Sequence, residues 1–117
     1  MVGKSDSHTK KDKRRFLLLH DVGCLPCLMK GLGHVNVDVH HLIEGGRRLG
    51  HEYTIGLDPW HHRGIPPEGM TIKQAEKIAG PSLALNKKAF VAEFGTEMEL
   101  WEATNEAIEM INKLRVG

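Results

Sequence analysis

The sequence predicts a small α+β domain in which two strands and a helical turn are held together by metal, with helices on either side. The chain has 117 residues, the length of one domain, and only 40% of them are hydrophobic. Two histidine doublets lie at or just after strand-like stretches, and two pairs of potential ligands have the spacing of a zinc site. Small domains with a lean core often depend on a metal for stability.

The N-terminal part of the chain is predicted to be a tail, a helix and a turn. Residues 1–8 are polar and are expected to form a disordered basic tail, so that a single domain spans residues 9–117. Thr9 can cap a helix that runs to about His20. A turn that carries the two cysteines follows this helix.

Two strands are predicted in the middle of the chain. Residues 35–39 alternate between apolar and polar side chains, which predicts a strand that ends at the first doublet, His40–His41. Residues 44–48 are expected to form a flexible basic loop, and a second strand is predicted at about residues 53–57. The second doublet, His61–His62, then lies at the start of a helical turn.

The C-terminal half is predicted to be helical. A helix over residues 71–79 and a last helix from residue 96 each begin with the pattern of a capping box, and a short helix is predicted at about residues 86–94. One face of the last helix is expected to pack on the core through Leu100, Trp101, Thr104, Ala107, Ile108, Ile111 and Leu114.

The charges are unevenly distributed, although the formal net charge is +1. Residues 4–15 hold six Lys or Arg against two Asp, whereas residues 93–109 hold six Glu and no Lys or Arg. The basic arm fits an anionic partner, and the acidic helix argues against nucleic acid along that end of the domain.

Two further patterns concern the compartment. No apolar run approaches the roughly 18 residues that a membrane span needs, and the N-terminus lacks the apolar stretch of a signal peptide. Two cysteines at CxxC spacing suit a reducing compartment. The chain is therefore expected to be soluble and intracellular, with no membrane partner.

The cysteines are candidate metal ligands. Cys24-x-x-Cys27 is followed by Asp58-x-x-His61, and a gap of two residues lets both side chains of a pair converge on one ion. The alternatives are a redox CxxC motif, although no thioredoxin-like βαβ pattern surrounds it, or two buried thiols without a ligand role. One histidine from each doublet could hold a second metal, and a spare histidine could act as a base.

The order C-x-x-C, D-V-H-H-L, glycine loop, strand and H-H resembles the HNH (His-Me finger, ββα-metal) endonucleases. The longer pattern GCLPC, VHHL, RRLGHEYTIGLDPWHHRG, GPSL and FGTEMEL resembles the phage Ref-type recombination enhancement nucleases, whose cleavage of DNA depends on RecA. The resemblance covers roughly residues 9–103. It implies an HNH-like nuclease domain that hydrolyses DNA phosphodiester bonds in phage recombination, with DNA and a RecA filament as partners in the cytoplasm of a bacterial host.

The resemblance also implies roles for single residues. His41 would be the general base, and His40 and His62 would bind a catalytic Mg²⁺, Mn²⁺ or Zn²⁺ ion. His51 is a further candidate, as a metal ligand or to orient the base. The structural zinc ligands would be Cys24, Cys27, Asp58 and His61.

Contact with DNA is expected from basic residues near the doublets and on the first helix. Phosphate contacts of this kind give binding that weakens steeply with salt. Trp60 could stack on an exposed base, but a core position beside the metal turn is the stronger reading. The predicted DNA-binding residues are Arg47, Arg48, Arg63, Lys10, Lys11, Lys13, Arg14 and Arg15.

Two alternative functions stay open at the level of sequence. The first is a zinc-stabilised module that binds DNA or RecA without catalysis, and such a module has no need of His41. The second is an HNH nicking endonuclease that works without RecA. Cleavage assays with and without a RecA filament separate the three functions.

Overall fold

The computed structural model describes residues 9–116, so the tail predicted for residues 1–8 lies outside the described residues. Within residues 9–116 the chain forms six helices and two small antiparallel sheets, which confirms the α+β class. The helices are α1 (Lys10–Val22), α2 (Leu25–Met29), α3 (Pro59–Arg63), α4 (Ile72–Ala79), α5 (Lys87–Phe94) and α6 (Glu97–Val116). The strands are β1 (Asp38–His41), β2 (Ile43–Glu44), β3 (Arg47–Arg48) and β4 (Thr54–Leu57).

Capping boxes fix where three of these helices begin. Thr9 Oγ1 accepts a hydrogen bond from the backbone N–H of Asp12 at 3.1 Å, and the Asp12 carboxylate accepts one from Thr9 N–H at 3.0 Å. The same reciprocal pairs start α4 at Thr71 and α6 at Thr96. These starts are confirmed, because capping is a local interaction that the sequence displays directly.

The first predicted strand was placed too early in the chain. β1 pairs with β4 in a register that sets Asp38 opposite Leu57 and His41 opposite Thr54, so the strand ends at the doublet as predicted but begins at Asp38 and not at residue 35. Upstream of the strand, Val37 is buried but packs across Gly56, where an added Cβ would come within 2.7 Å of the valine side chain. This close approach is packing and not strand pairing.

The flexible loop predicted at residues 44–48 is instead a tight hairpin. Ile43 pairs with Arg48 and Glu44 with Arg47, which makes the small β2–β3 sheet. The turn consists of Gly45 and Gly46 with φ of 60° and 79°, the left-handed conformation that two-residue hairpin turns require. The hairpin holds its two arginines on the surface.

The core lies between the β1–β4 sheet, the two cysteines and the C-terminal helices. Ile55 and Leu57 of β4 are buried against Phe90, Phe94 and Leu100. Of the residues predicted to form the apolar face of α6, Leu100 and Thr104 are buried, and Trp101, Ala107, Ile108 and Ile111 are half-buried. Leu114 is 76% exposed, so its assignment to the core was wrong.

No helix in the described part of the chain is long and apolar enough to cross a membrane.

Arg15 links three elements of the fold. Its Nε and Nη2 donate to the side-chain hydroxyl and the backbone carbonyl of Thr54 in β4, at 2.9 and 2.6 Å. Its Nη1 donates to Asn105 Oδ1 of α6 at 3.0 Å. Burial lowers the pKa of Arg15, and the nearby Glu52 carboxylate opposes this change. The guanidinium therefore joins α1 to both β4 and α6.

We expect Arg15→Ala to lower the free energy of unfolding by about 1.5–3 kcal/mol, the range for loss of hydrogen bonds made by a charged group. Urea unfolding followed by circular dichroism measures the change. Arg14→Ala, at the neighbouring exposed position, is the matched control and should change stability by less than about 0.5 kcal/mol. Equal effects of the two substitutions would contradict the structural role of Arg15.

Candidate metal centre and histidine sites

Four predicted ligands meet in the core. The candidate metal-binding atoms of Cys24, Cys27, Asp58 and His61 lie within 4.8 Å of one another, and all four residues are buried. The Sγ atoms of both cysteines are 3.6 Å from His61 Nδ1, and Cys24 Sγ is 3.7 Å from Asp58 Oδ1. Zinc–sulfur and zinc–nitrogen bonds of about 2.3 and 2.0 Å put neighbouring ligand atoms of a tetrahedral ion about 3.5 Å apart. The donor set and its spacing therefore fit a closed zinc site.

Two short helices bring these ligands together. Cys24 is the residue before α2 and Cys27 lies within it, whereas Asp58 caps α3 by accepting from the backbone N–H of His61 at 2.9 Å. Each x-x gap sits in the first turn of a helix, where residues three apart point to the same side. The cluster thus connects the start of α2 to the start of α3.

The ring of His61 is oriented from its far side. Its Nε2 lies 2.7 Å from the backbone carbonyl of Ala79 and donates to it, which turns Nδ1 toward the cysteines. Ligand histidines in metal sites commonly donate their other N–H in this way. Trp60 Nε1 donates to the next carbonyl, that of Gly80, at 2.9 Å, and Trp60 is 1% exposed. Trp60 is therefore a core residue and does not present its ring to a nucleotide base.

The cluster is a coupled acid–base system. The hydrogen bond from the Cys27 thiol lowers the pKa of Cys24 to about 6, although burial opposes this, and Cys27 correspondingly has a raised pKa. Burial is the largest single influence on His61 and lowers its pKa, but the hydrogen bonds with Asp58 at 2.7 Å, Cys24 and the Ala79 carbonyl together outweigh it and raise the pKa to about 9. Burial raises the pKa of Asp58, and the His61 hydrogen bonds reverse this shift. A metal must displace these protons, so its affinity rises with pH.

A second group lies where β1 meets α3. The rings of His40 and His62 are 5.0 Å apart between centroids, at 70°. His40 Nε2 is 2.9 Å from Glu97 Oε2, and His62 Nδ1 is 3.3 Å from Asp38 Oδ2, which also accepts from Arg63 Nε at 3.0 Å. Among the described residues this group is looser than the cysteine cluster, which is the one set of three or more ligands within 4.8 Å.

Sequence reasoning did not find Glu97 or Asp38 in this group. The hydrogen bond with His40 lowers the pKa of Glu97 despite burial, and burial is the main cause of the lowered pKa of His62. The capping box at the start of α6 showed that residue 97 lies in a first helical turn. Nothing in the sequence showed that this turn packs against His40, which is 57 positions away.

His41 occupies the opposite face of β1, because consecutive strand residues point to opposite sides. Its Nε2 is 2.9 Å from His51 Nδ1, and the edge of Phe16 approaches both rings. The structure thus pairs His51 with His41 and not with the His40–His62 group.

Seven of the eight predicted DNA-binding residues are exposed, on two surfaces, and the eighth is half-buried. Arg47 and Arg48 are exposed on the β2–β3 hairpin, and Arg63 is exposed at the end of α3. Arg15 is the exception, since its guanidinium is half-buried and bonded within the fold. The exposed basic residues of α1 are Lys10, Lys11, Lys13 and Arg14.

The fold and site define a small α+β domain with a candidate Cys₂–Asp–His metal centre. Residues 8–110 match the model of a family described as recombination enhancement, RecA-dependent nuclease, and the chain belongs to this family. The match confirms the resemblance to the Ref-type recombination enhancement nucleases, and the family name implies a nuclease that acts in recombination together with RecA. No curated protein and no solved structure matches the chain significantly.

Substitutions of Asp58 separate its role as the N-cap of α3 from its predicted role as a zinc ligand. Asn also caps helices well, so Asp58→Asn should keep α3 but retain less zinc after gel filtration, because a neutral amide is a weaker ligand. Asp58→Ala should lose both zinc and the cap, which adds about 1 kcal/mol of destabilisation. Elemental analysis and thermal unfolding measure the two effects.

The matched control for the cap is Thr71→Ala, which removes the N-cap of α4. We expect this variant to be destabilised while its zinc content stays that of the wild type. Full zinc retention by Asp58→Asn would show that Asp58 is a helix cap and not a ligand.

Proposed function

We propose that this protein is a divalent-metal-dependent endonuclease that hydrolyses DNA phosphodiester bonds at an HNH-like ββα-metal site and acts with a RecA filament. The family supports the nuclease activity and the link to RecA. One observation carries the assignment of the site: β1 and α3 bring His40 against His62, while the neighbouring His41 projects from the same strand end.

The β1–β4–α3 segment supports the ββα assignment. Two antiparallel strands are followed directly by a helix that starts at Pro59, and the second doublet lies inside that helix. The helix has only five residues and ends at Gly64 with φ of 71°. The left-handed φ favours glycine at this helix end, and an added Cβ on Gly64 would also lie 2.7 Å from the Leu85 side chain.

Two different metal sites are part of the proposal. The buried cluster of Cys24, Cys27, Asp58 and His61 would hold a structural zinc ion that joins α2 to α3. His40 and His62, whose side chains are 15% and 23% exposed, would hold the catalytic Mg²⁺, Mn²⁺ or Zn²⁺ ion. Such an ion, when bound, acts as a Lewis acid that stabilises negative charge on the phosphate and on the leaving oxygen.

His41 would be the general base. Imidazole changes its protonation near neutral pH, which suits a group that takes a proton from the attacking water. The contact of 2.9 Å with His51 orients the ring, and a neutral His41 that donates from Nε2 keeps its lone pair on Nδ1. Attack of the water breaks the bond from phosphorus to the 3′ oxygen and leaves a 5′ phosphate.

The position of the substrate follows from the two faces of β1. His40 and His41 point to opposite sides, so the scissile phosphate must lie across the end of the strand to be reached by both. The β2–β3 hairpin begins two residues after His41, and Arg63 follows His62 directly. The exposed arginines of these segments are therefore the first candidates to hold the DNA backbone.

We expect His41→Ala to abolish DNA cleavage while zinc content and thermal stability stay those of the wild type. The assay uses circular single-stranded and supercoiled double-stranded DNA with Mg²⁺ or Mn²⁺, with and without RecA and ATP. His20→Ala is the matched control, since this exposed histidine of α1 lies outside the proposed sites.

Each outcome of this assay has a meaning. Cutting that requires RecA and disappears in His41→Ala supports the proposal as stated. Cutting without RecA would assign the protein to the HNH nicking enzymes, and zinc binding without any cutting would leave a DNA- or RecA-binding module. Loss of zinc in His41→Ala would contradict its assignment as a base.

The hairpin arginines should contribute to the salt dependence of DNA binding. Each phosphate contact to duplex DNA adds about 0.9 to the slope of log affinity against log salt, so Arg47→Ala with Arg48→Ala should reduce the slope by about two. Fluorescence anisotropy at several salt concentrations measures it. Lys113→Ala with Arg115→Ala removes the same charge from the end of α6 and should leave the slope unchanged. An unchanged slope in the hairpin variant would exclude these arginines from the interface.

A further inference from the structure

We propose that Glu97 is a positioning residue of the nuclease site, which holds the ring of His40 so that Nδ1 and not Nε2 faces the catalytic metal. The inference rests on the proposed function, because it requires His40 to be a metal ligand. It adds a residue from the C-terminal helix to a site that otherwise comes from the β1–β4–α3 segment.

The contact is short and shielded from solvent. Glu97 Oε2 lies 2.9 Å from His40 Nε2, and the two side chains are 20% and 15% exposed. The second carboxylate oxygen, Oε1, is 3.5 Å from Lys87 Nζ at the start of α5. The carboxylate is therefore held between a lysine on one side and the histidine on the other.

The start of α6 fixes where Glu97 projects. Thr96 and Glu99 form the capping box of this helix, with hydrogen bonds of 2.8 and 3.0 Å, so residue 97 lies in the first turn. The helix dipole favours a carboxylate at this end. Leu100, one turn later, is 2% exposed in the core and anchors the helix against β4 of the β1–β4 sheet. The start of α6 thus places the Glu97 carboxylate beside His40.

The chemistry of the pair selects one tautomer of His40. A carboxylate only accepts hydrogen bonds, so the contact requires the proton on Nε2. A neutral imidazole carries one N–H, which leaves the lone pair on Nδ1 available to a metal. Partners of this kind set the orientation of ligand histidines, and their loss typically costs about 10–100-fold in metal affinity.

Two other histidine rings are also oriented by an oxygen acceptor. Ala79 holds Nε2 of His61 in the buried cluster, and Asp38 contacts Nδ1 of His62 at 3.3 Å. The Asp38 oxygen also accepts from Arg63, so its hold on His62 is weaker than that of Glu97 on His40. Among these partners of the nuclease site, Glu97 makes the shorter contact.

The test measures Mn²⁺ affinity of the zinc-loaded protein by electron paramagnetic resonance of free Mn²⁺, alongside the rate of DNA cleavage. We expect Glu97→Ala to weaken Mn²⁺ binding by about 10–100-fold and to slow cleavage at limiting Mn²⁺. Glu97→Gln should restore most of the affinity, because its amide oxygen still accepts from His40 Nε2. The KM for DNA should be the same in both variants.

The matched control is Glu102→Ala, which removes an exposed carboxylate from the same helix and should bind Mn²⁺ as the wild type does. Thermal unfolding and zinc content show that each variant is folded. Glu97→Gln as weak as Glu97→Ala would overturn the inference, since the negative charge itself would then be needed, as in a direct ligand. Wild-type affinity in Glu97→Ala would overturn it as well.

His40→Ala separates this inference from the proposed function. Loss of Mn²⁺ binding in His40→Ala together with unchanged binding in Glu97→Ala would leave the metal site in place and remove only the role of Glu97. Unchanged Mn²⁺ binding in His40→Ala would instead remove the catalytic metal assignment, and the role of Glu97 with it.

Discussion

The convergence of Cys24, Cys27, Asp58 and His61 is the constraint on which the rest of the domain depends. These side chains join α2 to α3 across 31 to 37 residues of sequence, in a domain whose sheets have only two strands each. His62 follows His61 directly, so the buried position of one histidine determines where the next emerges beside β1. The buried cluster thereby sets the geometry of the proposed nuclease site without belonging to it.

The two faces of β1 have different electrostatic surroundings. On one face His40 and its neighbour His62 each contact a carboxylate, an environment that attracts cations. On the other face His41 contacts a neutral aromatic ring and a second imidazole. A strand that alternates in this way gives two adjacent, chemically identical side chains separate environments. This difference is the physical basis for giving them separate roles.

Features with local causes could be predicted from the sequence, and features that depend on distant pairing could not. The helix starts at Thr9, Thr71 and Thr96 and the ligand spacing of CxxC and DxxH are local patterns, and the structure contains all of them. The start of β1 was missed because β4 determines it. The hydrogen bonds of Arg15 join it to partners 39 and 90 residues away. The run of basic residues around Arg15 indicated only a basic surface and could not predict these hydrogen bonds.

The hydrogen bonds at the end of α4 affect the environment of a tryptophan and therefore its fluorescence. Its end presents two successive carbonyls, of which Ala79 receives the His61 ring and Gly80 receives the Trp60 indole. Any shift of α3 relative to the end of α4 therefore changes the hydrogen bonding of a buried indole. The other tryptophan, Trp101, stacks on Tyr53 at 5.0 Å, away from this turn. Trp60 fluorescence is thus an intrinsic reporter of the candidate metal centre, and no label needs to be attached.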